Sequence, residues 1–271
     1  MHMHMYTRKD YYDSVSELIA LVTEKHGSEI TAIYAGGSFA REDFVPGRSD
    51  IDVYVVMKDD SEELRRFLER KAAEIERKYF NNLRSILGEV LSIAITTLKE
   101  VQSGRSFLGA GFEYSNFMDT GRLLWGTDIK PLIQTPLPQK QKESAKEYLG
   151  KVYDMVSKTE KNSKWLRWIP FRILPKSSKE RWTREAFNLT FRTIALFLGS
   201  NSVYVSRKED IASAFQKMCA NEKDLCTIIS FASSMWEKWK TNSLSDKETK
   251  QLLKNSLILV KGLKLLENAQ G

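Results

Sequence analysis

An α+β fold is predicted, with a first domain built on a small mixed β-sheet with helices and then an all-α helical bundle. Three observations lead there. Residues 30–35 and 51–56 are apolar, strand-like runs on either side of a Gly36-Gly37-Ser38 turn. Residues 90–97 read as a third strand, Val-Leu-Ser-Ile-Ala-Ile-Thr-Thr, separated from the second by a charged helical stretch. Beyond Pro131, Pro136 and Pro138, helical periodicity runs almost to the C-terminus.

Taken in order, residues 9–24 carry Val15, Leu18, Ile19 and Val22 at the spacing of an amphipathic helix. The strand 30–35 and the glycine turn follow, with a helix starting within 38–42. Along the next strand side chains alternate, so Ile51, Val53 and Val55 point into the core while Asp50 and Asp52 share the other face. Residues 61–80, rich in Glu, Arg, Lys and Ala, read as an exposed helix laced with i,i+4 charge pairs. After the strand at 88–97 a helical stretch is expected to reach Gly126, leaving a sheet covered by helices on one side.

The prolines of 131–138 form a linker between a domain at 1–130 and another at 139–271. In the second, residues 139–158, 177–198, 208–219, 224–240 and 246–267 have helical periodicity. The last presents Leu252, Leu259, Leu263 and Leu266, with Leu253, Leu257 and Val260 beside them, a wide apolar face that must pack on partner helices.

At 271 residues, 42% hydrophobic and 28% charged, the chain is long enough for two cores. Only His2, His4 and His26 occur, which argues against a histidine-based metal or triad site. Cys219 and Cys226 lie seven apart in a helical region and match no metal spacing; buried free thiols in a reducing cytoplasm are expected. No signal-peptide run is present and no window approaches the roughly 20 apolar residues that span a bilayer. A cytoplasmic protein with no membrane partner is therefore expected.

Two carboxylates facing one cleft repel each other unless a cation lies between them. Hard oxygen ligands of this kind suit Mg²⁺ arriving with a nucleotide triphosphate. The residues that carry this site, Gly37-Ser38 and then Ser49-Asp50-Ile51-Asp52 after an apolar strand, resemble the DNA polymerase beta-like nucleotidyltransferase superfamily. The likeness is greatest to its minimal and aminoglycoside-type members, which carry a small catalytic domain followed by a helical one. A weaker likeness runs on to residue 130, including 115–128, which ends Leu-Leu-Trp-Gly-Thr-Asp. The resemblance implies that Gly37 and Ser38, with Gly36 and Ser49 beside them, contact the phosphates of ATP or another NTP. It further implies that Asp50 and Asp52 are the metal ligands and catalytic acids. Arg41 is a candidate phosphate contact or a solvated helix arginine.

The chain departs from the family pattern in two places. Glu42 stands where members commonly have a glycine, which bears on the loop's conformation. The third carboxylate, which in the family accepts the acceptor's proton or binds a second metal, aligns with Ser92. Three readings of that gap remain: a base from the helical domain, with Glu147 and Lys151 as candidates; Glu89, which reaches the same face only if the strand is bulged or has not yet begun; or a site that binds nucleotide without efficient transfer.

Residues 161–184 interleave Lys161, Lys164, Arg167, Arg172, Lys176, Lys179, Arg181 and Arg184 with Trp165, Trp168, Phe171 and Trp182, and Glu180 is the only acid. That pattern, with a net charge of +7, fits a single-stranded nucleic acid groove. It equally fits a lid or a structural loop, given Pro170 and Pro175. Three functions follow: transfer of AMP to a hydroxyl of a small molecule or protein, RNA-directed nucleotidyl transfer, and non-catalytic nucleotide binding.

Overall fold

The computed structural model describes residues 6–83, 88–106, 108, 111–162 and 176–270. The chain divides into two compact units, Met1–Pro136 and Leu137–Gly271. The stretch 163–175, which holds most of the basic aromatic segment, lies outside the described residues.

In the first unit α1 (Arg8–His26) opens on a reciprocal cap in which Thr7 and Asp10 each satisfy the other's backbone amide. Its apolar stripe, Tyr11, Val15, Leu18 and Val22, is buried. Then come β1 (Ile30–Gly36), the one-turn helix α2 (Gly37–Arg41) and β2 (Ile51–Met57). They are followed by α3 (Glu62–Phe80), β3 (Leu91–Thr97), α4 (Leu98–Gln102), α5 (Gly111–Thr120) and β4 (Arg122–Gly126). The four strands form one sheet in the order β3-β2-β1-β4. β1 runs antiparallel to β2 and β4, and β2 runs parallel to β3.

Two expectations are corrected here. The helical stretch predicted to reach Gly126 ends at Thr120, and residues 122–126 form the strand β4 on the outer side of β1. The sheet is also covered on both faces. On one, α1 and α3 bury Ile33, Ala35, Ile51, Val53 and Val55. On the other, Ala32, Tyr34 and Val56 pack with Val101, Tyr114, Phe117 and Ile129. A strand covered on both sides reads as a continuous apolar run, and Ala32-Ile33-Tyr34-Ala35 is one.

The exposed helix predicted for 61–80 has one buried face: Leu64, Phe67, Leu68, Ala72, Ile75 and Phe80 line it, and so does Glu76. The Glu76 carboxylate, only 4% exposed, accepts hydrogen bonds from the backbone N–H groups of Val90 at 2.5 Å and Leu91 at 2.8 Å. It thus fixes the start of β3. Glu76→Ala strands two amides away from solvent and is expected to cost about 3 kcal/mol. Urea unfolding checks this, and an unchanged midpoint would show that water replaces the carboxylate.

The second unit comprises α6 (Pro138–Asn162), α7 (Lys176–Ser200), α8 (Lys208–Met218), α9 (Lys223–Thr241) and α10 (Asp246–Gln270). Helix α7 packs against α6, α8, α9 and α10. The expected face of α10 is largely core: Leu252, Leu259, Val260 and Leu263 are buried, while Leu253, Leu257 and Leu266 are half-buried. Hydroxyls tie α7 to α10, with Thr190–Ser256 at 2.7 Å and Thr183–Thr249 at 3.0 Å. The indole N–H of Trp239 donates to buried Glu180 at 2.7 Å. Cys219 is buried, and burial pushes its thiol up to about 11. Among the described residues no helix is long and apolar enough to cross a membrane.

Candidate functional site

The glycine turn and the acidic strand meet by register. Gly36 pairs with Asp52 across the antiparallel β1–β2 ladder, and Asp52 pairs with Ser92 across the parallel β2–β3 ladder. Directly paired residues share a sheet face. Gly36, Asp52 and Ser92 therefore stand side by side, Tyr54 extends that face along β2, and Asp50 lies immediately ahead of the strand. Ile51, Val53 and Val55, on the opposite face, are essentially without exposure.

Both glycines are needed for close approach. A Cβ at Gly36 would overlap the Tyr54 ring, and one at Gly37 would collide with Asp52 Oδ2. Gly37 also has φ +56, in the left-handed region. Its bare Cα leaves room for the Asp52 carboxylate, and Ser38 follows directly with a half-buried side chain whose hydroxyl has no hydrogen-bond partner among the described residues. The loop ahead of Asp50 is pinned by Tyr11 of α1. Its buried hydroxyl donates to the Ser49 carbonyl at 2.8 Å and accepts from the Gly47 N–H at 3.0 Å. Long-range contacts of this kind leave no local signature, so Tyr11 did not stand out in the sequence.

The other predicted residues are placed as follows. Ser49 is buried and its hydroxyl accepts from the Val45 N–H at 2.9 Å, which closes the 45–49 turn. The Arg41 side chain is 11% exposed and its Nε donates to Asp43 at 3.1 Å, so it is not a solvated helix arginine. Glu42 takes the left-handed conformation, φ 63 and ψ 16, which accounts for a glycine suiting that position. Glu89 is exposed and precedes β3, which begins at Leu91, so strand alternation does not keep it off the Ser92 face. Glu147 and Lys151 belong to the second unit, on α6, exposed and paired with each other at 2.7 Å. Within 161–184, Lys179 pairs with Asp246 at 2.9 Å and Trp182 is half-buried, both in the opening turns of α7.

Asp128, which ends the segment 115–128, anchors that segment to the sheet. It accepts from the Tyr34 hydroxyl at 2.6 Å, and the same hydroxyl accepts from the Ile129 N–H at 2.6 Å. The Tyr34 hydrogen bond holds the Asp128 carboxyl below its usual range, while burial pushes the phenol well above its own.

For a divalent cation the chain offers the carboxylate oxygens of Asp50 and Asp52. Among the described residues no group of three or more His, Cys, Asp or Glu gathers as a ligand set. A two-carboxylate set suits Mg²⁺, which keeps waters and takes phosphate oxygens in its remaining positions.

Sequence reasoning missed a groove of about 390 Å³ in the second unit, lined by Phe191, Lys208, Glu209, Gln216, Ser233 and Trp236 among others. The Lys208 ammonium sits 4.0 Å from the centre of the Trp236 ring, and Ser233 Oγ is buried without a partner among the described residues. An aromatic wall, a cation and hydroxyls together suit a ligand with a planar or anionic part. Its residues come from three helices with no sequence motif to link them.

Residues 15–101, which span α1 to α4, match the family model of the nucleotidyltransferase domain. This segment is a nucleotidyltransferase domain. The match supports an enzyme of the nucleotidyltransferase type. The chain's fold is similar to that in the crystal structure of spectinomycin adenyltransferase AAD(9) from Enterococcus faecialis with ATP and spectinomycin. That match has a TM-score of 0.54 and 11% identity, over 95% of this chain and 99% of that one. No curated protein sequence matches the chain. In this nucleotidyltransferase domain the matched segment contains the glycine turn, Asp50, Asp52, Glu89 and Ser92. It stops short of β4.

Proposed function

We propose that the chain moves AMP from ATP to a hydroxyl of a small molecule or protein and releases pyrophosphate. The observation that carries this reading is the register that sets Gly36 opposite Asp52, with Gly37 against the Asp52 carboxylate. Backbone N–H groups of Gly37 and Ser38, with the Ser38 hydroxyl, bind phosphate oxygens. Asp50 and Asp52 would hold Mg²⁺, which when bound neutralises the triphosphate and the charge that builds on the α-phosphoryl oxygens. Arg41 and Ser49 act through the loop that carries the two aspartates. The similarly folded adenyltransferase is described with ATP and spectinomycin, which favours a small-molecule acceptor over a protein.

The acceptor hydroxyl must lose a proton as its oxygen attacks phosphorus. Glu89 is the preferred base, because it precedes β3 near the Ser92 position; Glu147, already paired with Lys151, ranks below it. Incubation with labelled ATP, Mg²⁺ and panels of hydroxylated small molecules, proteins and RNA tests the reading. Label on a small molecule or protein supports it. Label on RNA would transfer the reading to an RNA-directed enzyme, and binding with no transfer to any acceptor would sink it.

Ser92→Asp supplies a more direct probe of the missing acid. The substitution sets a third carboxylate beside Asp52 in register and is expected to raise kcat by about tenfold or more, since general acid–base catalysis commonly contributes at least that. An unchanged kcat would show that a base is already in place elsewhere.

A further inference from the structure

The glycine turn closes on a residue whose backbone suits glycine, and two distant arginines hold that residue. Glu42 caps α2 in the left-handed region, at φ 63. Arg8, at the start of α1, donates from Nη2 to the Glu42 carbonyl at 3.0 Å. Arg122, the first residue of β4, donates from Nη1 to Glu42 Oε1 at 2.5 Å. Each guanidinium also rests on a buried ring next to the turn, Arg8 at 4.4 Å from the centre of Phe44 and Arg122 at 5.7 Å from that of Phe39.

This arrangement reaches the phosphate-binding residues through one peptide group. The Ser38 carbonyl accepts hydrogen bonds from the N–H groups of Glu42 and of Asp43, the latter at 3.2 Å. Both amides keep those directions only while Glu42 holds its left-handed conformation. The Glu42 carboxylate is 56% exposed, and an exposed ion pair adds little to stability. Stability alone thus gives no reason to keep a glutamate here, where glycine would adopt the conformation without help.

We infer that Arg122, assisted by Arg8, is a positioning residue: it clamps Glu42 and so sets the angle at which Gly37 and Ser38 present their N–H groups to the nucleotide's phosphates. The inference rests on the proposed nucleotidyl transfer. Arg122 itself pairs with Ala35 rather than Gly36, which puts it on the face of the sheet away from Asp52. A misaligned phosphate cradle weakens nucleotide binding before it affects the bond-breaking step.

The test compares the unchanged protein with Arg122→Ala, Glu42→Gly and the double variant, by calorimetric titration with ATP and Mg²⁺, steady-state kinetics and thermal melting. Arg122→Ala is expected to raise Kd and KM for ATP about tenfold, equivalent to roughly 1.4 kcal/mol of binding, with kcat nearly unchanged. Glu42→Gly in the Arg122→Ala background is expected to restore ATP affinity, because glycine holds the turn without a clamp. Unchanged affinity in Arg122→Ala, or a loss that Glu42→Gly fails to rescue, overturns the inference. A loss that merely follows a collapse of the melting temperature also overturns it. Should the unchanged protein bind no ATP, it is the nucleotidyl-transfer reading that fails, a result distinct from binding that ignores Arg122.

Discussion

Replacing Asp50 and Asp52 together with alanine is expected to lower nucleotidyl transfer at least about a thousandfold, equivalent to roughly 4 kcal/mol of transition-state stabilisation. The core side of the strand is left intact. Both side chains are half-buried at the entry to β2, and the residues that lock the strand into the core are Ile51, Val53 and Val55 on the other face. The thermal midpoint therefore separates the two roles. Asparagine at both positions keeps shape while removing charge, so it should lose activity almost as fully. Release of labelled pyrophosphate provides the readout, and a double variant within tenfold of the parent rate would remove these carboxylates from the chemistry.

Gly37→Ala carries the second large expected effect. Two independent costs meet there: a left-handed φ of +56 and a collision between the new Cβ and Asp52 Oδ2. The backbone cost alone is about 1 kcal/mol. The collision adds to it by forcing the turn or the Asp52 carboxylate to move, so ATP binding should fall below detection. Gly104→Ala serves as the control, since Gly104 has φ +67 and nothing within 4 Å of its added Cβ. It should cost the backbone term and leave nucleotide affinity intact. Equal effects of the two substitutions on ATP affinity would mean that close approach at Gly37 has no bearing on the site.

The layout of the candidate site was partly legible because it rests on local pattern. Alternation along β2 separates Asp52 from Ile51, Val53 and Val55, and alternation along β3 leaves Ser92 on its more open face, where the register pairs it with Asp52. What the sequence concealed depends on partners far along the chain. Residues 122–126, Arg-Leu-Leu-Trp-Gly, carry no strand alternation; they become β4 because the outer edge of β1 needs a partner. Glu76 reads as one charge in a charged helix until β3 arrives and its first amides turn to it. Glu42, which stands where the resemblance leads one to expect glycine, does take the left-handed backbone, but its two arginine partners lie 34 and 80 residues away and leave no local trace. The groove beside Lys208 and Trp236 has no motif, since its walls are drawn from three helices.

The acidic strand β2 is interior to its sheet, hydrogen-bonded along both edges. Local breathing begins where edges are free, so the aspartates belong to the part of the domain that opens last under native conditions. A redesigned enzyme could therefore inherit this rigid strand unaltered while its surroundings change.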